Sequence, residues 1–408
     1  MEQLQRRLGL TGSIAIGVAA MLGAGVFFVW SPAWNIAGPW MVVSLGLAAV
    51  VATLNGLVTT QLAVNHPVSG GIYSYGRHYR GSLVGFLAGW FFLTGKTASA
   101  AAIALVAATY LWPDNARLLA VGFITVFALI VISGIRTTAW VSLVIAAIVS
   151  AGLIALAAPA AVRAEWSGEF SSEPSWSIVT AAGLMFFAFA GYARMATLGE
   201  EVIDPRKTLP RAILGALSIV LVLYALVGLA LIPRLEGSLA PDAPLALLAP
   251  DGLGWVVGVL AVIASLGSLL AILAGLSRTS LQMARHRDLP GVLSRLWSRS
   301  GGPVWSEIAV AVAAIVLVLL TDPLWLVGLS GAGVLSYYAI GHYSSLAQTA
   351  SERLFPRWIP VVGLVLCGLL VVSLPPSSLL AWLVWSTVGL GWFAIATARR
   401  RRVDDSSA

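Results

Sequence analysis

Charge is scarce in this 408-residue chain: only 10% of residues are Asp, Glu, Lys or Arg, 59% are hydrophobic, and the mean hydropathy is +0.92. A soluble protein of this length cannot bury so much apolar surface, so the scarcity excludes a soluble fold and indicates a polytopic membrane protein. Cysteine is nearly absent. Cys367 alone excludes an intramolecular disulfide and argues against a thiolate metal site. The four histidines (His66, His78, His286 and His342) have no metal-ligand spacing, so a membrane enzyme lacks a visible constellation. Without a Walker-type phosphate loop the chain is not by itself a primary pump. No metal or cofactor is expected. A cleavage site is also missing: the first apolar segment is longer than a signal h-region and reads as a retained helix.

What is present is a series of apolar runs, and the expected fold is all-α and membrane-embedded. Twelve spans are expected, at roughly 11–34, 38–61, 83–112, 117–133, 138–160, 177–198, 209–232, 252–280, 304–321, 324–347, 358–374 and 378–397. An even number places both termini on one side. With that side cytoplasmic, the outer segments hold only Arg117, Arg163 and Arg234 of the 24 Lys and Arg residues, as the positive-inside rule requires. The net charge of +7 therefore encodes orientation, and nucleic acid is not an expected partner. Arg399–Arg402 read as an anchor against anionic lipid. The segment 62–81, rich in Gly, Tyr and Ser, is too polar to span and is expected at the inner face or partly re-entrant.

Two apolar runs carry glycine-bearing interruptions, Leu22-Gly23-Ala24-Gly25-Val26-Phe27 in the first span and Phe187-Ala188-Phe189-Ala190-Gly191 in the sixth. A helix that breaks in hydrocarbon leaves backbone groups unpaired at several kcal/mol each, unless they line a cavity or a protein interior. Two breaks five spans apart, each opening a five-helix block, point to a transporter's substrate site. The free amides at Gly23, Ala24 and Gly25 suit a carboxylate, and the carbonyls near Met21 and Phe187–Ala190 suit an ammonium. Together they form a zwitterion clamp without a charged side chain. The alternative reading is that these glycines serve close helix packing.

Lys96, midway along the third span, is the most singular residue. An ionisable group at that depth costs about 3 kcal/mol or more and is a functional candidate by default. It could exchange a proton near neutral pH or act as a fixed charge in place of sodium. Snorkelling is disfavoured because the stem reaches only partway to the interface. Two intramembrane cations, Lys96 and Arg194, with no carboxylate near any span centre, disfavour a polyamine as substrate. Arg194 could meet Glu200 or Glu201 as a cytoplasmic gate or as a helix-end ion pair.

These residues resemble the amino acid–polyamine–organocation superfamily of secondary transporters. The likeness rests on Gly17–Phe27, on Phe186–Tyr192 followed by Glu200–Arg211, and more weakly on Pro67–Tyr73 and Ser277–Pro290. It runs through nearly the whole chain, so it specifies superfamily far better than substrate. It implies a LeuT-type five-plus-five inverted repeat with discontinuous helices 1 and 6 and two additional C-terminal helices. The division is 1–160, 161–348 and 349–408. It also implies an aromatic gate at Phe187 and a place for Lys96 level with substrate-approaching residues. The chain departs from its relatives in having no Lys in 138–160, in Ala193 where some antiporters are acidic, and in Arg194 beside it. The expected function is amino acid transport by alternating access, coupled to protons through Lys96 or running as exchange. Sodium coupling, which Ser265, Ser268 and Ser277 would serve, and an inorganic-ion or polyamine cargo remain the alternatives on the same fold. Oligomeric state leaves no visible mark.

Overall fold

The computed structural model describes residues 8–66, 70–133, 139–163, 175–192, 202–297 and 302–407. Every extended element among them is helical. The first apolar run forms α1 (Leu10–Met21), α2 (Gly25–Phe28) and α3 (Trp30–Ala37), and a turn at Gly38–Trp40 leads into α4 (Met41–Asn65). Gly38 makes this turn at φ 53°, a conformation that only glycine adopts without strain. There follow α5 (Ile72–Arg80), α6 (Ser82–Leu111), α7 (Ala116–Ile132), α8 (Ala139–Val162), α9 (Ser177–Phe189), α10 (Pro205–Leu235) and α11 (Gly254–Arg285). The chain closes with α12 (Val304–Leu320), α13 (Pro323–Ser345), α14 (Trp358–Ser373) and α15 (Pro376–Ser407). Among the described residues eight helical segments are long and apolar enough to cross a membrane, and four shorter apolar helices accompany them.

Several boundaries differ from the expected ones for one reason: hydropathy reports the apolar stretch, whereas the backbone keeps its helical bonds into the polar flanks. Thus α10 starts at Pro205, where proline loses nothing because a first-turn N–H has no helical partner. It also runs past Pro233, expected to end the span, to Leu235. The segment 62–81 splits between the end of α4 and the amphipathic α5, which buries Ile72, Tyr73 and Tyr75. Pro67–Ser69, Arg136 and the outer-loop residues 164–174 lie outside the described residues, as do the side chains of Arg399–Arg402.

Two helices form the centre. In both α6 and α13 the apolar window is 78% buried, against 22% for α7 and α8 and 6% for α15, so the latter three face lipid. Leu118, Trp140 and Leu380 are exposed accordingly. The central pair touches backbone to backbone: a Cβ on Gly95 would come within 2.8 Å of Val334 N, and one on Gly333 within 2.8 Å of Gly95 Cα. Without a hydrophobic drive inside a bilayer, small residues and a hydroxyl pair, Ser99 Oγ to Ser330 Oγ at 2.6 Å, hold such helices together.

At the other end of α6 a buried ion pair fixes three elements. Arg77 Nη1 on α5 lies 2.9 Å from Asp288 Oδ2, just beyond α11, and Tyr73 donates its hydroxyl proton to the same oxygen at 2.7 Å. The indole of Trp392 on α15 donates to the Asp288 carbonyl. Nearby, the His66 ring stacks on His78 at 4.2 Å, with Tyr75 and Tyr79 edge-on and Glu352 bonded to Tyr79. Burial pushes the His66 imidazole below its ordinary 6.5, and the charge of His78 adds to this. The unfolded chain therefore binds the proton first, and stability falls as the pH drops below about 6.5. Thermal unfolding in detergent between pH 7.5 and 5.5 should show a shallower pH slope for His66→Phe than for the unmodified chain. Equal slopes would remove the pair as the cause.

Candidate functional site

The first interruption has a definite geometry. At Leu22 the backbone leaves the helix (φ −75°, ψ 53°), and the Gly23 N–H turns back to the Met21 carbonyl at 2.8 Å. Phe27 N–H donates to Ala24 O at 3.1 Å and Val29 N–H to Gly25 O at 3.0 Å as the helix resumes. Among the described residues no acceptor meets the amides of Ala24, Gly25 and Val26, all of them buried. Unpaired N–H groups away from water are costly, and at the start of a helix a carboxylate would satisfy them.

The second interruption faces the first. After Phe189 the chain tightens into a short turn over Ala190–Tyr192. A Cβ on Gly25 would stand 2.5 Å from Ala188 Cα, and one on Gly191 would run into the Ala20 carbonyl, 2.7 Å from Met21 N. Gly23 abuts Ser268 of α11, whose Oγ would lie 2.5 Å from such a Cβ. Close packing, the alternative reading of these glycines, is thus realised, and it is what brings the backbone groups of the two breaks together.

Side chains meet the free carbonyls. Lys96, fully within the middle of α6 and 5% exposed, donates from Nζ to Ala190 O at 2.9 Å. Tyr224 of α10 lies 2.8 Å from Met21 O and 3.0 Å from Ala188 O, so one phenolic proton is shared between the two breaks. Sequence reasoning missed Tyr224. Its only signal was a lone hydroxyl in the run Val222-Leu223-Tyr224-Ala225-Leu226, and a tyrosine there reads as packing. Tyr110 was missed likewise: it donates to Phe27 O at 2.8 Å and accepts from Leu245 N–H at 3.1 Å. The loop after α10 closes over α3 by Ser31 Oγ to Ala240 O, Ala240 N–H to Asn35 Oδ1, and Trp34 Nε1 to Ser238 O. Beside the last turns of α1, next to the break, a cleft lies between α1, α8 and α11, lined by Ile16, Ala19, Ala20, Ser142, Ile145 and Gly267 among others.

The remaining expected site residues divide. Met21, Gly23, Ala24, Gly25, Ala188, Ala190, Gly191 and Lys96 come together at the crossing. Phe187 and Phe189 are buried on α9, with Phe189 against the Tyr224 ring at 5.2 Å. Arg194, Glu200 and Glu201 lie outside the described residues. Of the suggested ion-pair network, the described portion shows Asp204 and Lys207 at 3.5 Å, both well exposed, a geometry that contributes little to stability. Ser265 Oγ is buried with no partner among the described residues, while Ser268 donates back to Ala264 and Ser265 carbonyls.

A bundle of lipid-exposed helices around two facing helix interruptions defines a membrane protein of the solute-carrier kind. The chain belongs to the amino acid permease family, whose sequence profile matches residues 8–396, and so to the amino acid–polyamine–organocation superfamily. It is 41% identical to an uncharacterized transporter of Mycobacterium tuberculosis, over 99% of this chain and 94% of that one. A branched-chain amino acid permease of Bacillus subtilis is 25% identical over 95% and 92%. A chloroplastic cationic amino acid transporter of Arabidopsis thaliana is 27% identical over 96% and 72%.

Proposed function

We propose that this protein is a secondary active transporter of amino acids or similar small amine solutes across the cell membrane. The observation that carries this reading is the meeting of the two interruptions, with the amides of Ala24, Gly25 and Val26 unpaired beside a set of carbonyls. On this reading the substrate carboxylate takes the amides, its ammonium takes a share of the carbonyls at Met21, Phe187, Ala188 and Ala190, and Phe187 covers it. Both termini lie in the cytoplasm, and twelve spans follow a LeuT-type inverted repeat. Residues 1–160 form one five-helix block, 161–348 its inverted counterpart, and 349–408 the two further helices and basic tail. Spans 1, 2, 6 and 7 rock against 3, 4, 8 and 9, with Arg194 and Glu200 at the inner gate. The sealed loop over α3 and the cleft beside α1 then correspond to a state closed outward and opening inward.

Coupling falls to Lys96. Protonated, it holds the Ala190 carbonyl. Once the proton leaves, that bond loses its charge assistance, and the second interruption is free to move. Uptake of labelled amino acids into proteoliposomes under a proton gradient, a sodium gradient or neither tests this. Proton-driven accumulation lost in Lys96→Ala is expected, whereas sodium dependence would leave the fold and remove that role. In Tyr224→Phe two carbonyls lose their shared donor, at a cost of about 1–3 kcal/mol, so uptake should fall about tenfold in a protein that still purifies monodisperse. Unchanged uptake would take Tyr224 out of the site.

A further inference from the structure

Lys96 is the one buried cation among the described residues that has no carboxylate partner. Its ammonium carries three protons, and among the described residues only one has an acceptor, Ala190 O. The described ion pairs are Arg77 with Asp288 and Lys207 with Asp204, and neither includes it. The remaining buried carboxylate among the described residues, Glu307, opens α12 and is in neither of the described ion pairs. A buried charge without a counter-ion is costly, and two unused donors beside the crossing of the breaks mark a place for an anion.

The carbonyls nearby are already engaged. Met21 O receives Gly23 N–H and the Tyr224 hydroxyl, Ala188 O shares that hydroxyl, and Ala190 O receives the ammonium. A cationic side chain brought beside Ala190 O would stand against the like charge of Lys96. A substrate with an additional carboxylate does the reverse: it fills the two free N–H donors and neutralises the site.

From this we infer that Lys96 is a charge selector and that the substrate class is acidic amino acids, with cationic amino acids excluded. The inference rests on the amino acid transporter reading above and narrows its substrate. It sets this chain apart from relatives named for cationic or branched-chain amino acids.

The test uses purified full-length protein in detergent, with thermal stabilisation by glutamate, leucine and lysine at equal concentration, and uptake of labelled glutamate into proteoliposomes. Glutamate is expected to raise the melting temperature and lysine to leave it unchanged. Unlabelled aspartate should compete with glutamate uptake and arginine should not. Lys96→Met should lose at least tenfold in glutamate affinity and gain in leucine competition, while Lys96→Arg keeps the acidic preference. Should the Met variant fail to fold, the wild-type ligand panel and the Arg variant decide the matter. Stabilisation by leucine or lysine and not by glutamate would overturn the selector and leave the transporter reading standing. Response to no amino acid in either assay would overturn both.

Discussion

Gly191→Ala should lower uptake at least tenfold. The added methyl would be driven into the Ala20 carbonyl and to within 2.7 Å of Met21 N, and neither is the end of a flexible side chain that can swing aside. Relief requires the two interruptions to part, which also pulls Ala188 and Met21 away from the hydroxyl that joins them. Overpacking of this kind costs about 1–3 kcal/mol, and about 1.4 kcal/mol is already a tenfold effect. Gly122→Ala is the matched control. Nothing lies within 4 Å of its Cβ position in α7, so that variant should transport normally and gain slightly in stability because the unfolded chain has less entropy to lose. Equal activity of the two variants would show that the close approach at Gly191 is not required for transport.

The largest stability effect is expected from Arg77→Met, which keeps the aliphatic stem against Gly85 and deletes the guanidinium. Asp288 is fully buried, and the variant removes the guanidinium from the oxygen that Tyr73 also donates to. Removing one partner of a buried pair typically costs 3–5 kcal/mol, and the partial exposure of Arg77 places this case at about 3 kcal/mol or somewhat less. The melting temperature in detergent should fall clearly for Arg77→Met and recover in part when Asp288→Asn is added, because the double variant no longer buries an unpaired charge. A double variant less stable than either single one would sink this account.

The legible and illegible parts of the molecule separate along physical lines. Apolar runs and glycine interruptions are properties of short stretches, so the spans and the breaks at Leu22–Ala24 and after Phe189 could be placed from residue order. Lys96 stood out because its depth alone makes it costly. Helix ends were misjudged where polar residues continue the backbone ladder, as at Pro205 and beyond Pro233. The helix α5 was unforeseen because Gly, Tyr and Ser argue against one, and the Asp288 that Arg77 and Tyr73 reach lies more than 200 residues away in sequence. Tyr224 and Tyr110 were invisible for the same reason: a hydroxyl's partner is chosen by the fold, not by its neighbours in sequence.

The short parallel bridge between Leu8 and Val202, closed by Ile203 N–H on Leu8 O at 2.9 Å, has a mechanical meaning. With the break at Leu22–Ala24 as fulcrum, α1 is a lever arm about 18 Å long at 1.5 Å per residue. A tilt of about 15° would sweep its tip by about 5 Å, well beyond the reach of a hydrogen bond. The bridge sits at that tip and leads directly into α10. Tip and helix base are therefore yoked, so torque applied to one is delivered to the other, and α1 cannot swing as a free flap.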